Sequence, residues 1–194
     1  MKDHISHVSK LCYHQIRNIW KIRNYLSLEA TKKLVQALVI SRLDYCNSLF
    51  YKISEAQLDK LQRIQNSAAR LIVQSSKYSS ITSTLKDLHW LRIRQRIKYK
   101  ILTLTFKALK DGRPQYLREM LSISHKPVNL RSNSQNMLTK PPYNLESCGS
   151  RCFAVSAPEL WNKLPPKLRN YKLLTIPDFK KQLKTVLFKE CFNL

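Results

Sequence analysis

The sequence predicts a mainly α protein: a helical bundle followed by a loop-rich C-terminal segment that ends in a helix. Three observations lead there. Only two glycines, Gly112 and Gly149, occur in 194 residues, and tight hairpins lean on glycine. Apolar residues recur at helical spacing through long segments rich in Leu, Lys and Gln, which form helices readily. Apolar residues make up 43% of the chain, enough for a real core.

The elements follow in order. Asp3 to Arg23 mixes Ile5, Val8, Leu11, Ile16 and Ile19 with basic positions and reads as a helix. Ser27 offers an N-cap for the next one. Leu34 to Leu43 is apolar on nearly every side, the pattern of a central buried helix. Ser54-Glu55-Ala56-Gln57 is a capping-box pattern. Behind it Leu58, Leu61, Ile64, Ala68, Leu71 and Ile72 share one helical face, opposite Asp59, Arg63, Asn66 and Arg70.

Leu91 to Leu109 shows a strand-like alternation of Arg and Lys. No Gly or Pro stands between Leu85 and Asp111, and so long a strand is unusual. A helix is therefore expected, with Ile93, Ile97, Ile101, Leu104 and Ala108 on one face and Gly112 as C-cap.

Residues 1–121 form the helical region of this reading. Residues 122–147, with Pro127, Pro141, Pro142 and many Ser and Asn, read as a linker. Residues 148–194 form a small C-terminal segment. In it Ser156-Ala157-Pro158-Glu159 reads as a second capping box, Pro165-Pro166 as a stop, and Thr175-Ile176-Pro177-Asp178 as the start of the last helix. Phe179, Leu183, Val186 and Leu187 make that helix's apolar face, and Lys180, Lys181 and Lys184 its outer one.

Charge narrows the function. Thirty-five Lys+Arg against 12 Asp+Glu give a net +23. An excess of this size points to a polyanion, most often nucleic acid. Arg92, Arg96, Lys100 and Lys107 form a stripe along the helix expected after Leu91, with Trp90 and Tyr99 near it for stacking. Only Asp87 and Asp111 are close in sequence. Arg63 and Arg70 add to the expected interface, whose contacts are to phosphates and carry no sequence preference.

Catalysis is not expected. Two-metal phosphoryl chemistry needs clustered carboxylates, and the twelve acids here are scattered singly. Asp44 reads as a capped or salt-bridged helix residue. His4, His7, His14, His89 and His125 accompany no recognisable nucleophile turn. Cys148 and Cys152 lack a second Cys/His pair at zinc spacing. No glycine-rich phosphate loop can be written. No cofactor, metal or small-molecule substrate is expected. Five cysteines, an odd number, without a secretory apolar region, point to free thiols in a reducing intracellular compartment. No apolar run approaches the roughly 20 residues needed to span a bilayer, so no membrane partner is expected.

Longer words in the sequence then carry a resemblance. Ser41-Arg42-Leu43-Asp44-Tyr45-Cys46-Asn47-Ser48-Leu49, Leu61 to Leu71 (LQRIQNSAARL) and Leu88-His89-Trp90-Leu91 are similar to stretches of non-LTR retrotransposon polyproteins. So are Phe106-Lys107-Ala108-Leu109, Leu130-Arg131-Ser132, Ala157 to Pro165 (APELWNKLP) and the Phe179 to Phe188 segment. The chain resembles the region after the reverse-transcriptase palm in elements of the jockey and chicken-repeat groups. Arg92 stands where that family usually has proline.

The resemblance implies thumb-like helices that grip the template–primer duplex, followed by a C-terminal region of unassigned role. The palm's [FY]-x-D-D motif and the endonuclease have no counterpart here. The implied reading is a truncated copy with Met1 internal to the ancestral frame: a noncatalytic nucleic-acid-binding fragment of an RNA-directed DNA polymerase. The alternatives are a helical protein-interaction module co-opted by a host, with the Leu34–Leu43 helix as candidate surface, and a genomic relic without selected function.

Overall fold

A computed structural model describes residues 1–76, 78–124, 136–146 and 148–193. His125, Pro127 and the Leu130-Arg131-Ser132 word lie outside the described residues. The protein is mainly α. It forms two compact units, Met1–Arg96 with Cys191–Leu194, and Ile97–Glu190. The division falls within one helix, between Arg96 and Ile97.

In the first unit α1 (Lys2–Ile22), α2 (Leu28–Val35) and α3 (Ser41–Asp44) precede α4 (Glu55–Val73) and α5 (Ile81–Asp87). Ser27 caps α2 as expected, its hydroxyl accepting from Ala30 N at 3.2 Å. Ser54 stands at the N-cap of α4, but its side chain makes no capping bond. Its carbonyl accepts from Gln57 N and Leu58 N instead. The expected apolar face of α4 is buried throughout, against α1, whose Ile5, Val8, Cys12 and Ile19 are buried.

The segment between α2 and α3 departs from expectation. Gln36–Ile40 is π-helical. Val35, Val39, Ile40 and Leu43 are buried, while Gln36, Ala37 and Ser41 face solvent. The segment is thus buried on one face and not central. The small exposed side chains at Ala37 and Ser41 cost little in water, so its apolar look overstated its burial.

Helix α6 (Ile93–Asp111) confirms the helical choice for the ambiguous stretch, and Gly112 at φ +66° ends it. In the second unit Leu104 of the expected stripe is half-buried, while burial extends beyond that stripe. Ile101, Leu102, Thr103, Thr105, Phe106, Ala108 and Leu109 are all covered. Phe106 stacks on Phe179 with centroids 4.0 Å apart, and Trp161 lies tilted 6.5 Å from Phe106 and 6.1 Å from Phe179.

Helix α7 (Gln115–Glu119) follows, and then the stretch expected as a linker, which holds a short ladder. β1 (Ser122–Ile123) pairs antiparallel with β2 (Leu138–Thr139), Ser122 opposite Thr139. The Asn162 amide clamps β2, accepting from Leu138 N at 2.9 Å and donating to Leu138 O at 2.8 Å. Trp161 Nε1 donates to Asn136 O.

Helix α8 (Phe153–Trp161) starts three residues before the expected capping box. Ser156 N already donates to Cys152 O at 2.8 Å, so the first turn closes upstream and Pro158 lies inside the helix. Helix α8 ends at Trp161 with Asn162 as its C-cap, before the expected Pro165-Pro166 stop, and Pro166 instead opens α9 (Pro166–Arg169). Thr175 caps α10 (Ile176–Phe192): its hydroxyl accepts from Asp178 N at 3.3 Å and donates to Asp178 Oδ2 at 2.6 Å. Phe179, Leu183 and Leu187 are buried and Val186 half-buried.

Candidate nucleic-acid interface

The basic residues at the start of α6 have protein partners. Arg96 Nη1 donates to Asp44 Oδ2 at 2.6 Å, and its Nε to Leu91 O. Arg94 pairs with Glu55 at 2.5 Å. Arg92 donates to Thr82 Oγ1 at 3.1 Å and lies over the Phe192 ring. In the second unit Lys98 pairs with Glu190, and Lys110 donates to Lys172 O. Lys100 is exposed and Lys107 half-buried. Within the expected stripe Arg96 meets an acid distant in sequence, and beside the stripe Arg94 and Lys98 do the same.

The aromatics of that stripe differ. Tyr99 is half-buried, and burial raises its hydroxyl's pKa against a hydrogen bond with Thr103. Trp90 lines a shallow pocket of about 520 Å³ with Lys32, Lys33 and His89.

Several of the quoted words meet here as structure. Asn47 Nδ2 donates to Asp44 Oδ1, so Asp44 holds both Arg96 and Asn47. Gln65 Nε2, fully buried, donates to Leu91 O at 2.8 Å, and Gln62 Oε1 accepts from Ile93 N at 3.0 Å. Gln62 thereby satisfies one of the orphan donors at the start of α6. Asp44, Asn47, Gln62 and Gln65 act as connectors.

Arg63 and Arg70 lie elsewhere, on a groove between α1 and α4. Its larger part, about 820 Å³, is lined on α1 by Tyr13, Ile16, Arg17, Trp20 and Lys21, and on α4 and its C-cap by Ser67, Arg70, Leu71 and Gln74. A smaller adjoining pocket of about 310 Å³ shares Tyr13 and adds Lys60 and Arg63. Tyr13, Arg17, Trp20 fall at i, i+4, i+7, and Lys60, Arg63, Ser67, Arg70, Gln74 at i, i+3, i+7, i+10, i+14, one face of each helix. No Asp or Glu is among the lining residues.

Arg17, Lys21, Lys60 and Arg63 are exposed, and the Nε of Arg70 is buried without an acceptor. Arg23 is committed to structure: it donates to Leu71 O, Ile72 O and Leu26 O, closing the C-terminal end of α4. The sequence reading reached Arg63 and Arg70 but missed Tyr13, Arg17, Trp20 and Lys21. The available signal was an aromatic–basic alternation on the outer face of the first helix.

Among the described residues no cluster of three or more His, Cys, Asp or Glu is placed to hold a metal ion. Cys12, Cys46, Cys152 and Cys191 are free thiols. No described helix is long and apolar enough to cross a membrane. No family model, no curated protein and no solved structure matches the chain.

Proposed function

We propose that this chain is a noncatalytic nucleic-acid-binding protein that holds RNA or DNA through its phosphates, without sequence preference. The α1/α4 groove carries the reading: four exposed Lys/Arg and Arg70 converge there with no carboxylate among the lining residues. Such a surface releases counterions when it meets a polyanion. The resemblance to the thumb and post-palm region of non-LTR reverse transcriptases supports the same reading. It suggests that in a polymerase this region holds the template–primer.

The protein-interaction alternative is the weaker reading, because Val35, Val39, Ile40 and Leu43 of its candidate segment are buried. Measuring affinity for a random-sequence duplex across a series of salt concentrations tests the proposal. Log affinity falls linearly with log salt, at roughly 0.9 per phosphate neutralised. A flat response overturns it.

A further inference from the structure

We propose that the α1/α4 groove takes single-stranded nucleic acid, with bases stacked on Trp20 and Tyr13 and phosphates held by Arg17, Lys21, Arg63 and Arg70. The inference rests on the nucleic-acid reading above and narrows it to one class of ligand.

A duplex turns its bases inward and offers a protein mainly phosphates and groove edges. A site for phosphates alone needs cations and has no use for indole faces. This groove has both. Trp20 is 69% exposed and Tyr13 41% exposed, each beside a cation on the same helical face. Leaving that much aromatic surface in water forgoes the stabilisation that burial gives.

Tyr13 and Trp20 are seven residues apart, two turns of α1, or about 10 Å along the axis. Arg17 lies between them and Lys21 follows. The result is an alternation of stacking face and cation along one helix, with Arg63 and Arg70 on the other side. A strand with unpaired bases supplies partners for both, since every base has a π-face. From Ser6 to Lys21 the groove runs about 22 Å, room for roughly six nucleotides at a 3.4 Å rise per strand. An acidic peptide would satisfy the cations and leave the aromatic faces without planar partners.

Three labelled probes test this with the full chain: a twelve-nucleotide oligothymidine, an abasic strand of the same length, and a twelve-base-pair duplex, compared by fluorescence anisotropy at one salt concentration. The wild-type protein binds oligothymidine more tightly than the abasic strand. Trp20→Ala weakens oligothymidine binding ~5- to 100-fold and leaves the other two probes unchanged. Trp20→Phe keeps most of the affinity.

Equal affinity of the wild type for all three probes overturns the stacking inference and leaves phosphate binding standing. So does a Trp20→Ala loss shared by all probes, no loss at all, or full displacement of oligothymidine by polyglutamate. If no probe binds, the nucleic-acid reading falls first and this inference with it. Because Trp20 is exposed, Trp20→Ala keeps its helical circular dichroism.

Discussion

Asp44 and Arg96 form a partly buried ion pair, Nη1 to Oδ2 at 2.6 Å, between positions 52 residues apart. The guanidinium keeps only 17% of its side-chain surface exposed. Its Nε is satisfied by Leu91 O, and the second carboxylate oxygen of Asp44 accepts from Asn47. This joint ties the end of α3 to the start of α6 within the first unit.

Asp44→Ala therefore leaves a half-buried guanidinium without its acceptor. We expect a loss of about 1.5–3 kcal/mol in unfolding free energy, the usual range for a hydrogen bond to a charged group. Arg96→Ala loses a similar amount, and the double variant loses less than the sum of the two. Denaturant titration of the four proteins measures this. Strict additivity would show that the pair contributes nothing to folding.

Nucleic-acid affinity separates the two basic regions. Arg17→Ala and Arg63→Ala each remove one groove cation and reduce the salt slope by roughly 0.9 for duplex. Arg96→Ala leaves the slope unchanged, because its charge is already committed to Asp44. A slope that drops for Arg96→Ala and holds for Arg63→Ala moves the interface to α6.

The long helices are legible because their apolar residues keep a 3.6-residue period over many turns: α1, α4, α6 and α10 all emerge within a few residues. Ser27, Thr175 and Gly112 are legible because each acts on backbone within three residues. What fails depends on distant partners. Phe106 is buried only because Trp161 and Phe179 come to it from far along the chain. The β1–β2 ladder is two residues long on each side, too short for alternation to show. Charge balance on α6 fails for the same reason. Asp44, Glu55 and Glu190 are remote in sequence and adjacent in space. The groove needs α1 packed on α4 before Tyr13 and Trp20 stand beside Arg63 and Arg70.

The second unit is expected to stand or fall with its aromatic cluster. Phe106 and Phe179 are fully buried and stacked, and Trp161 is fully buried with its indole N–H bonded to Asn136 O at 2.9 Å. Phe106→Ala opens a cavity among large rings and costs about 3–5 kcal/mol. Phe106→Leu retains most of the volume and costs markedly less. Near-ultraviolet circular dichroism reports the loss of fixed aromatic packing. A Phe106→Ala protein with unchanged midpoint and spectrum contradicts the cluster's role.

Cys12 gives the pH prediction. It is buried on α1, with Sγ 3.9 Å from Val39 O. Burial raises its thiol from 9.0 to about 11, against the opposing pull of the Arg42 charge. The unfolded chain releases this proton more readily than the folded one, so ionisation favours unfolding. Its contribution to stability is complete below pH 9, declines as pH rises from about 9 to 11, and is gone above that. Cys12→Ala flattens this alkaline loss, measured as denaturation midpoint against pH relative to the wild type. In native protein at neutral pH, a maleimide reagent labels exposed Cys46, Cys148 and Cys152 and spares Cys12 until denaturant is added. Rapid native labelling at position 12, mapped by mass spectrometry, would show that α1 does not cover this thiol.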